Sequence, residues 1–296
     1  MSEQVTNLRQ SVAKVKVAGI VSSKDLTIEN VQGQNIIKGS VNVEVDETNV
    51  IRFSVYAGEK TKNGAENPAY KGLLTVKDEF KTIADNGREE ADKIYVNGDL
   101  NPFTGLNGRE TVGQRASFFN RAKKLDTFEP EATFDVEMFI KTMVPEVDKE
   151  GEETGRVLVK GWVVTFNGIE PITLIADKDL ADGVQSTFEV GQTARFFGDI
   201  INNRVEIKTE IPMALGKPRI ETKVEYKNEL RITGASDPYP DEQEGETPAK
   251  YDKGAIDLAI TERQARLEAK EREAAKTPAP SNARPTASGT GRQLNW

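Results

Sequence analysis

An internal duplication constrains this chain more than any other feature. Ile37-Lys38-Gly39-Ser40-Val41 leads through a stretch rich in β-branched residues to Asn97-Gly98-Asp99-Leu100-Asn101. The same order returns as Val159-Lys160-Gly161-Trp162-Val163, leading to Phe197-Gly198-Asp199-Ile200-Ile201-Asn202. A repeat predicts two copies of one small unit. A chain of 296 residues has room for both and a tail, at roughly 100 to 200 residues per domain.

Each copy reads as the same succession of elements. In the first, Val15 to Val21, Ile36 to Val45 and Val50 to Tyr56 alternate with the period of two expected of strands. A helical spacing follows from Val76 to Asp85, stopped by Asn86-Gly87, and a strand returns at Ile94 to Val96. In the second, strands at Phe134 to Val144, Val157 to Phe166 and Ile172 to Ala176 precede a short helix at Lys178 to Ser186 and a strand at Thr193 to Ile201. Three strands, a helix, then further strands is the order of the OB-fold, a five-stranded Greek-key barrel. Gly39 and Gly161, inside the second strand of each copy, suit the bending that closure demands; they would equally mark bulges in a sandwich.

The expected fold is therefore mainly all-β: two tandem OB-like barrels, each with one short helix, followed by a C-terminal helical and disordered tail. The expected divisions are a flexible segment 1–13, a first barrel 14–128, a second barrel 129–237 and a tail 238–296. Gly39 and Gly98 lie 59 residues apart but Gly161 and Gly198 only 37, so the first copy carries 22 extra residues. These fall in a polar, basic loop, 58–72, long enough to be functional or disordered. Val205 to Ile211 and Arg219 to Thr233 supply the last strands. In the tail, the acidic run Asp241 to Pro248 precedes a helix 255–276, whose apolar stripe of Ile256, Ile260 and Leu267 is too thin for a core; it is either exposed or docked on a partner. Thr277 to Gly291 reads as flexible.

Composition narrows the chemistry. With neither Cys nor His, the chain has no disulfide, no thiolate nucleophile, no sulfur-based zinc site and no imidazole base. No carboxylate constellation for Mg²⁺ stands out, so no catalytic residues, metal or cofactor are expected. No apolar run approaches the roughly 20 residues that span a bilayer, and Met1 to Gln10 lacks the features of a secretory signal. A cytoplasmic location, in the host if the protein is viral, and no membrane partner follow as expectations. A net charge of −8 means that any nucleic-acid binding must depend on a local basic and aromatic surface.

Three places offer that surface, since single strands are held by cations along the phosphates and by rings on which bases stack. In the loop, Lys60, Lys62 and Lys71 surround Tyr70, although such lysines also serve to keep an edge soluble. From Pro102 to Lys124 five cations stand against one anion, with Phe103, Arg109, Arg115, Arg121 and Lys123 as candidates. Alternation from Arg115 to Arg121 puts Phe119 with Arg115 and Arg121 on one face and Phe118 with Ala116 on the other; one ring belongs to the core, and Phe119 is assigned to the basic face. The third place is the strand holding Lys160, Trp162 and Phe166, where Trp162 either stacks on a base or packs the barrel.

This combination resembles single-stranded DNA-binding proteins, and the tandem form with a long tail is similar to those of bacteriophages. The resemblance implies a non-enzymatic protein that coats single-stranded DNA in phage replication, recombination or repair. It also implies recruitment of replication or recombination proteins by the tail tip, here Leu294 and Trp296, although Arg292 stands where bacterial relatives carry acids. The competing reading is a viral structural or assembly protein using its barrels as protein-contact modules. Convergence of Lys60, Lys62, Arg115, Lys160 and nearby rings on one groove would favour DNA binding, and scatter the structural role.

Overall fold

A computed structural model describes residues 8–105, 107–123, 127–211 and 219–276. The first barrel is built from β1 (Ala13–Val31), β2 (Gln34–Glu44), β3 (Val50–Gly58), β4 (Lys93–Thr104), β5 (Glu110–Arg115) and β6 (Phe119–Arg121), with α1 (Pro68–Glu79) and α2 (Ile83–Asn86) between β3 and β4. β1 pairs with both β2 and β4, β3 pairs in parallel with β5, and β4 pairs with β5, so the ring closes as 1-2-3-5-4-1.

The second barrel repeats this circuit with β7 (Glu131–Val147), β8 (Glu153–Thr165), β9 (Gly168–Ala176), β10 (Thr193–Ile211) and β11 (Arg219–Ala235), and with α3 (Lys178–Thr187) before its fourth strand. The chain is thus mainly β, two OB-type barrels in tandem, with a C-terminal helix α4 (Lys253–Lys276).

The duplicated glycines stand where backbones cross. A Cβ on Gly98 would overlap the carbonyl oxygen of Arg115, and one on Gly198 the carbonyl oxygen of Arg231. Each lies on the fourth strand of its barrel under the fifth, so only a residue without a side chain lets the closing strand pass. Gly39 and Gly161 on the second strands meet Asp25 and Phe139 backbone oxygens in the same way. Each first strand also carries an extra residue, Ser22 in β1 and Lys141 in β7, where the register slips. A bulge bends a strand, and here it lets one long strand serve both sides of the ring.

The barrels are welded rather than strung together. β1 and β7 form an antiparallel ladder from Ala13↔Val136 to Ala18↔Glu131, joining all eleven strands into one sheet. Residues 15 and 134 differ by 119, as do bulge residues 22 and 141, and Val15 pairs directly with Phe134. An approximate two-fold axis therefore passes through that pair, and the two halves of one chain meet as the subunits of an isologous dimer would. Off the axis, Asn49 after β2 caps this contact, donating to the Ile200 carbonyl at 2.9 Å and accepting from the Asn202 amide at 2.9 Å.

Four expectations differ from what is observed. The single helix expected from Val76 to Asp85 is two, α1 ending at Glu79 and α2 starting at Ile83, where Thr82 caps the second by accepting from the Asp85 amide. The basic loop ends at Pro68, not Gly72: Asn67 caps the helix by accepting from the Ala69 amide, and Pro68 occupies the first turn, where its missing N–H costs nothing. The strand expected from Arg115 to Arg121 is broken by a bulge at residues 116–118 opposite Asn97 and Gly98. The tail helix packs one stripe on its own chain, with its outer residues exposed. Ile256, Ala259 and Tyr251 are buried with Phe139, Trp162, Val164 and Ile169 on the β8–β9 face of the second barrel, so a stripe too thin for a core of its own completes one already half built.

Candidate nucleic-acid interface

The break between β5 and β6 decides which phenylalanine reaches solvent. Three residues, 116–118, lie opposite two on β4, so the alternation shifts by one. Phe119 turns inward, 8% exposed, its ring edge-to-face with Phe53 at 6.0 Å between centroids. Phe118 turns outward, 51% exposed, beside Gly72 of α1. The ring assigned to the basic face from sequence is thus the core ring.

Phe118 stands on the wall of a groove of about 1090 Å³ between the barrels. Barrel 1 contributes Lys14, Phe103, Arg115 and Phe118; the β8–β9 turn contributes Phe166, and α4 contributes Arg266 and Lys270. Phe103 and Phe166 are also open to solvent, at 43% and 83%. Four cations face two carboxylates, Asp99 and Glu170. Lys14 pairs with Asp99 at 2.6 Å and Arg266 with Glu170 at 2.7 Å, while Arg115 and Lys270 have no ion-pair partner among the described residues. An excess of positive charge beside three rings is the chemistry that holds phosphates and stacks bases.

A polar knot fixes this geometry. Glu170 on β9 accepts from Arg263 of α4 at 3.1 Å, and Arg263 also donates to the Thr104 hydroxyl on β4. The guanidinium of Arg263 lies 5.4 Å from the ring of Trp162, and the Lys141 ammonium 5.1 Å from it. Trp162 is itself only 6% exposed. At the start of α4, Tyr251 shares a 2.8 Å hydrogen bond with Ser11, whose hydroxyl accepts from the Val164 amide at 2.9 Å. Burial, and then the nearby Glu137 carboxylate, push the Tyr251 phenol well above its usual range, so it remains neutral. Glu137, buried too, is paired with Arg9 at 2.5 Å.

The other candidates are distributed elsewhere. Lys60 and Lys62 are exposed on the turn before α1, where the backbones of Lys60 and Glu66 form an isolated antiparallel bridge, and the Lys71 side chain is ion-paired to Glu66. Tyr70 is buried against the first core with Leu73 and Val76. Arg109 is exposed at a separate inter-barrel cleft of about 290 Å³. Arg121 is engaged by Asp92 at 3.1 Å and covers the Phe80 ring at 4.4 Å. Lys123 and Lys160 are exposed but do not line the groove. Of Lys60, Lys62, Arg115 and Lys160, only Arg115 lies in it, with Phe103 from the wider set. Leu294 and Trp296 lie outside the described residues.

Sequence reasoning missed Lys14, Phe118, Arg266 and Lys270 as groove residues. It also missed the open outer face of β2 and β3, where Lys38 sits opposite Tyr56 and Asn42 opposite Arg52, with Tyr56 exposed. The alternation of Arg52, Ser54 and Tyr56 was a readable signal for that face. Nothing local marked Arg266 or Lys270, which reach the groove only because α4 folds back. Among the described residues no helix is long and apolar enough to cross a membrane, and no group of acidic residues is placed to hold a metal ion.

In comparisons with known proteins, no curated protein matches the chain in sequence. Among solved structures, it is similar to the crystal structure of the wild-type single-stranded DNA binding protein from Thermus aquaticus, at 12% identity and a TM-score of 0.48, over 83% of this chain and 99% of that one. A deletion mutant of the same Thermus aquaticus protein is similar at 11% identity and a TM-score of 0.48, over 79% of this chain and 99% of that one. The model of the YorF family matches residues 12–273, nearly the whole described length, and the chain belongs to the YorF family.

Proposed function

We propose that the protein binds single-stranded DNA along the groove between its barrels, without catalysing a reaction. The observation that supports this is the groove itself: Phe103, Phe118 and Phe166 exposed beside Lys14, Arg115, Arg266 and Lys270, in a chain whose net charge is −8. Bases unstacked from a duplex would lie on the rings, and the phosphates would follow the cations. Lys60, Lys62 and Lys160 scatter, which by the convergence criterion counts toward the structural role; the DNA-binding reading stands instead on the groove, which draws its charge from Lys14, Arg115, Arg266 and Lys270. The role this fits is coating of unwound strands during phage DNA replication or recombination in the host cytoplasm, with Leu294 and Trp296 of the tail recruiting partner proteins.

Titration of labelled oligo(dT) at several salt concentrations tests the reading. Binding that neutralises up to four phosphates should give a slope of log K against log salt approaching about −3, from roughly 0.7 counterions released per contact on a single strand. Absence of binding at low salt overturns it and leaves the barrels as protein-contact modules of a viral assembly.

A further inference from the structure

We infer that α4 is a constituent wall of the nucleic-acid site, and that by docking it withdraws the β8–β9 face of barrel 2 from nucleic acid. One chain then presents a single open barrel face, not two. The inference rests on the groove reading above and adds the identity and fixity of its second wall.

The two-fold relation sets β8 and β9 in the places of β2 and β3. In barrel 1 that face is open, with Arg52 and Tyr56 exposed. In barrel 2 it carries Trp162, Val164 and Ile169, and α4 covers it: Ile169 and Ile256 are fully buried against each other's elements. Lifting the helix would expose this whole apolar cluster and strand Glu170 without Arg263, so the cover is permanent on physical grounds.

The groove is bordered by the flank of that same docked face of α4, one to two turns beyond Arg263, whose partner Glu170 also pairs with Arg266. Arg266 and Lys270 are four residues apart, hence neighbours on one helix face, and both line the groove that Phe118 and Arg115 also line. Glu170 holds Arg266 in place, at 2.7 Å, while Lys270 is exposed and unpaired among the described residues. One held cation and one free cation, on the same groove as three exposed rings, would form a rail for a phosphate backbone whose bases stack on those rings.

The full-length chain tests this with Lys270→Glu, and with Lys253→Glu as a control at the start of α4, away from the groove. Lys270→Glu should weaken oligo(dT) binding several-fold and reduce the salt slope by about 0.7 to 1; Lys253→Glu should leave both unchanged. A second measurement uses Trp296→Phe, which makes Trp162 the sole tryptophan. Its emission should hold its wavelength and intensity through saturation with oligo(dT), because the ring stays under α4. Normal binding by Lys270→Glu, in a protein where Phe118→Ala weakens it, overturns the wall while leaving the groove reading intact. A red shift or quenching of Trp162 on binding overturns the permanent cover. Failure of the unaltered protein to bind at low salt rejects the groove reading itself.

Discussion

Phe118 and Phe119 are adjacent in sequence and opposite in environment, and that contrast gives the sharpest test of the binding surface. Phe118 is 51% exposed, whereas Phe119 is 8% exposed against Phe53. Truncating a buried phenylalanine costs about 3–5 kcal/mol, a large share of the roughly 5–15 kcal/mol that separates folded from unfolded domains. Truncating the exposed one should change stability by no more than about 0.5 kcal/mol. A base stacked on a ring contributes about 1–3 kcal/mol, so Phe118→Ala should weaken oligo(dT) binding by about 5- to 150-fold. Because the ring carries no charge, the salt slope should not change. Urea unfolding supplies the stabilities, and fluorescence anisotropy of labelled oligo(dT) across a salt series supplies affinities and slopes. Unchanged affinity in Phe118→Ala refutes the placement of the bases. So does an equal loss of affinity in Phe119→Ala under conditions where that variant is still folded, since the ring that binds would then be the inner one.

Other perturbations test the scaffold. The Lys24 ammonium donates to the carbonyls of Val76, Lys77 and Phe80 at 3.0, 2.6 and 2.7 Å, closing the C-terminal end of α1; Lys24→Met leaves these acceptors to water and should lower stability by about 1–3 kcal/mol in urea titrations. Burial pushes the Glu229 carboxyl up, but a hydrogen bond from Arg231 and the charges of Lys227 and Arg156 beside it outweigh burial and hold the group below the usual glutamate range. Its contribution is then complete above the unfolded value of roughly pH 4.3 and is lost as pH falls through the lower folded value. Urea unfolding from about pH 5 to pH 3 should accordingly show a steeper acid loss in the natural protein than in Glu229→Gln. Ile256→Ala empties a fully buried site between α4 and barrel 2, should cost about 2–5 kcal/mol, and should red-shift Trp162 emission in a Trp296→Phe background.

How far the sequence was legible follows from where the constraints act. The barrels were readable because Gly39 and Gly161, and Gly98 and Gly198, lie under crossing backbone, so the same topology demands the same residue at the same order in both copies. Local alternation failed at residues 116–118, because the bulge arises from the mismatch between β5–β6 and the two β4 residues they span, a long-range relation invisible in the strand's own pattern. Tyr70 looked like a loop ring until Pro68 proved to start a helix that turns it inward. Trp162 had two readings, stacking or packing, and the helix that chooses between them begins some ninety residues later, at Lys253.

The asymmetry between the copies follows from one axis and two different occupants. By symmetry each barrel reaches toward the fourth strand of the other with the turn after its second strand. In one direction that turn holds Asn49, whose amide is satisfied by Ile200 and Asn202, and the approach is closed by hydrogen bonds. In the other it holds Phe166, which has no such partner and leaves a groove in front of Phe103 and Phe118. A polar side chain able to pair with backbone seals the junction; a ring cannot, and stays available. The 22 extra residues of the first copy do not make the site directly, since Tyr70 and Lys71 are taken up by the core and by Glu66. They lengthen the segments on either side of α1, the counterpart of α3, and Gly72 of α1 lies beside Phe118. A Cβ on Gly72 would stand 3.9 Å from Cδ1 of Phe118, an ordinary contact, so Gly72→Ala should leave urea stability and oligo(dT) affinity close to those of the natural protein, and a large loss of affinity with folding intact would refute this account of the α1–Phe118 contact.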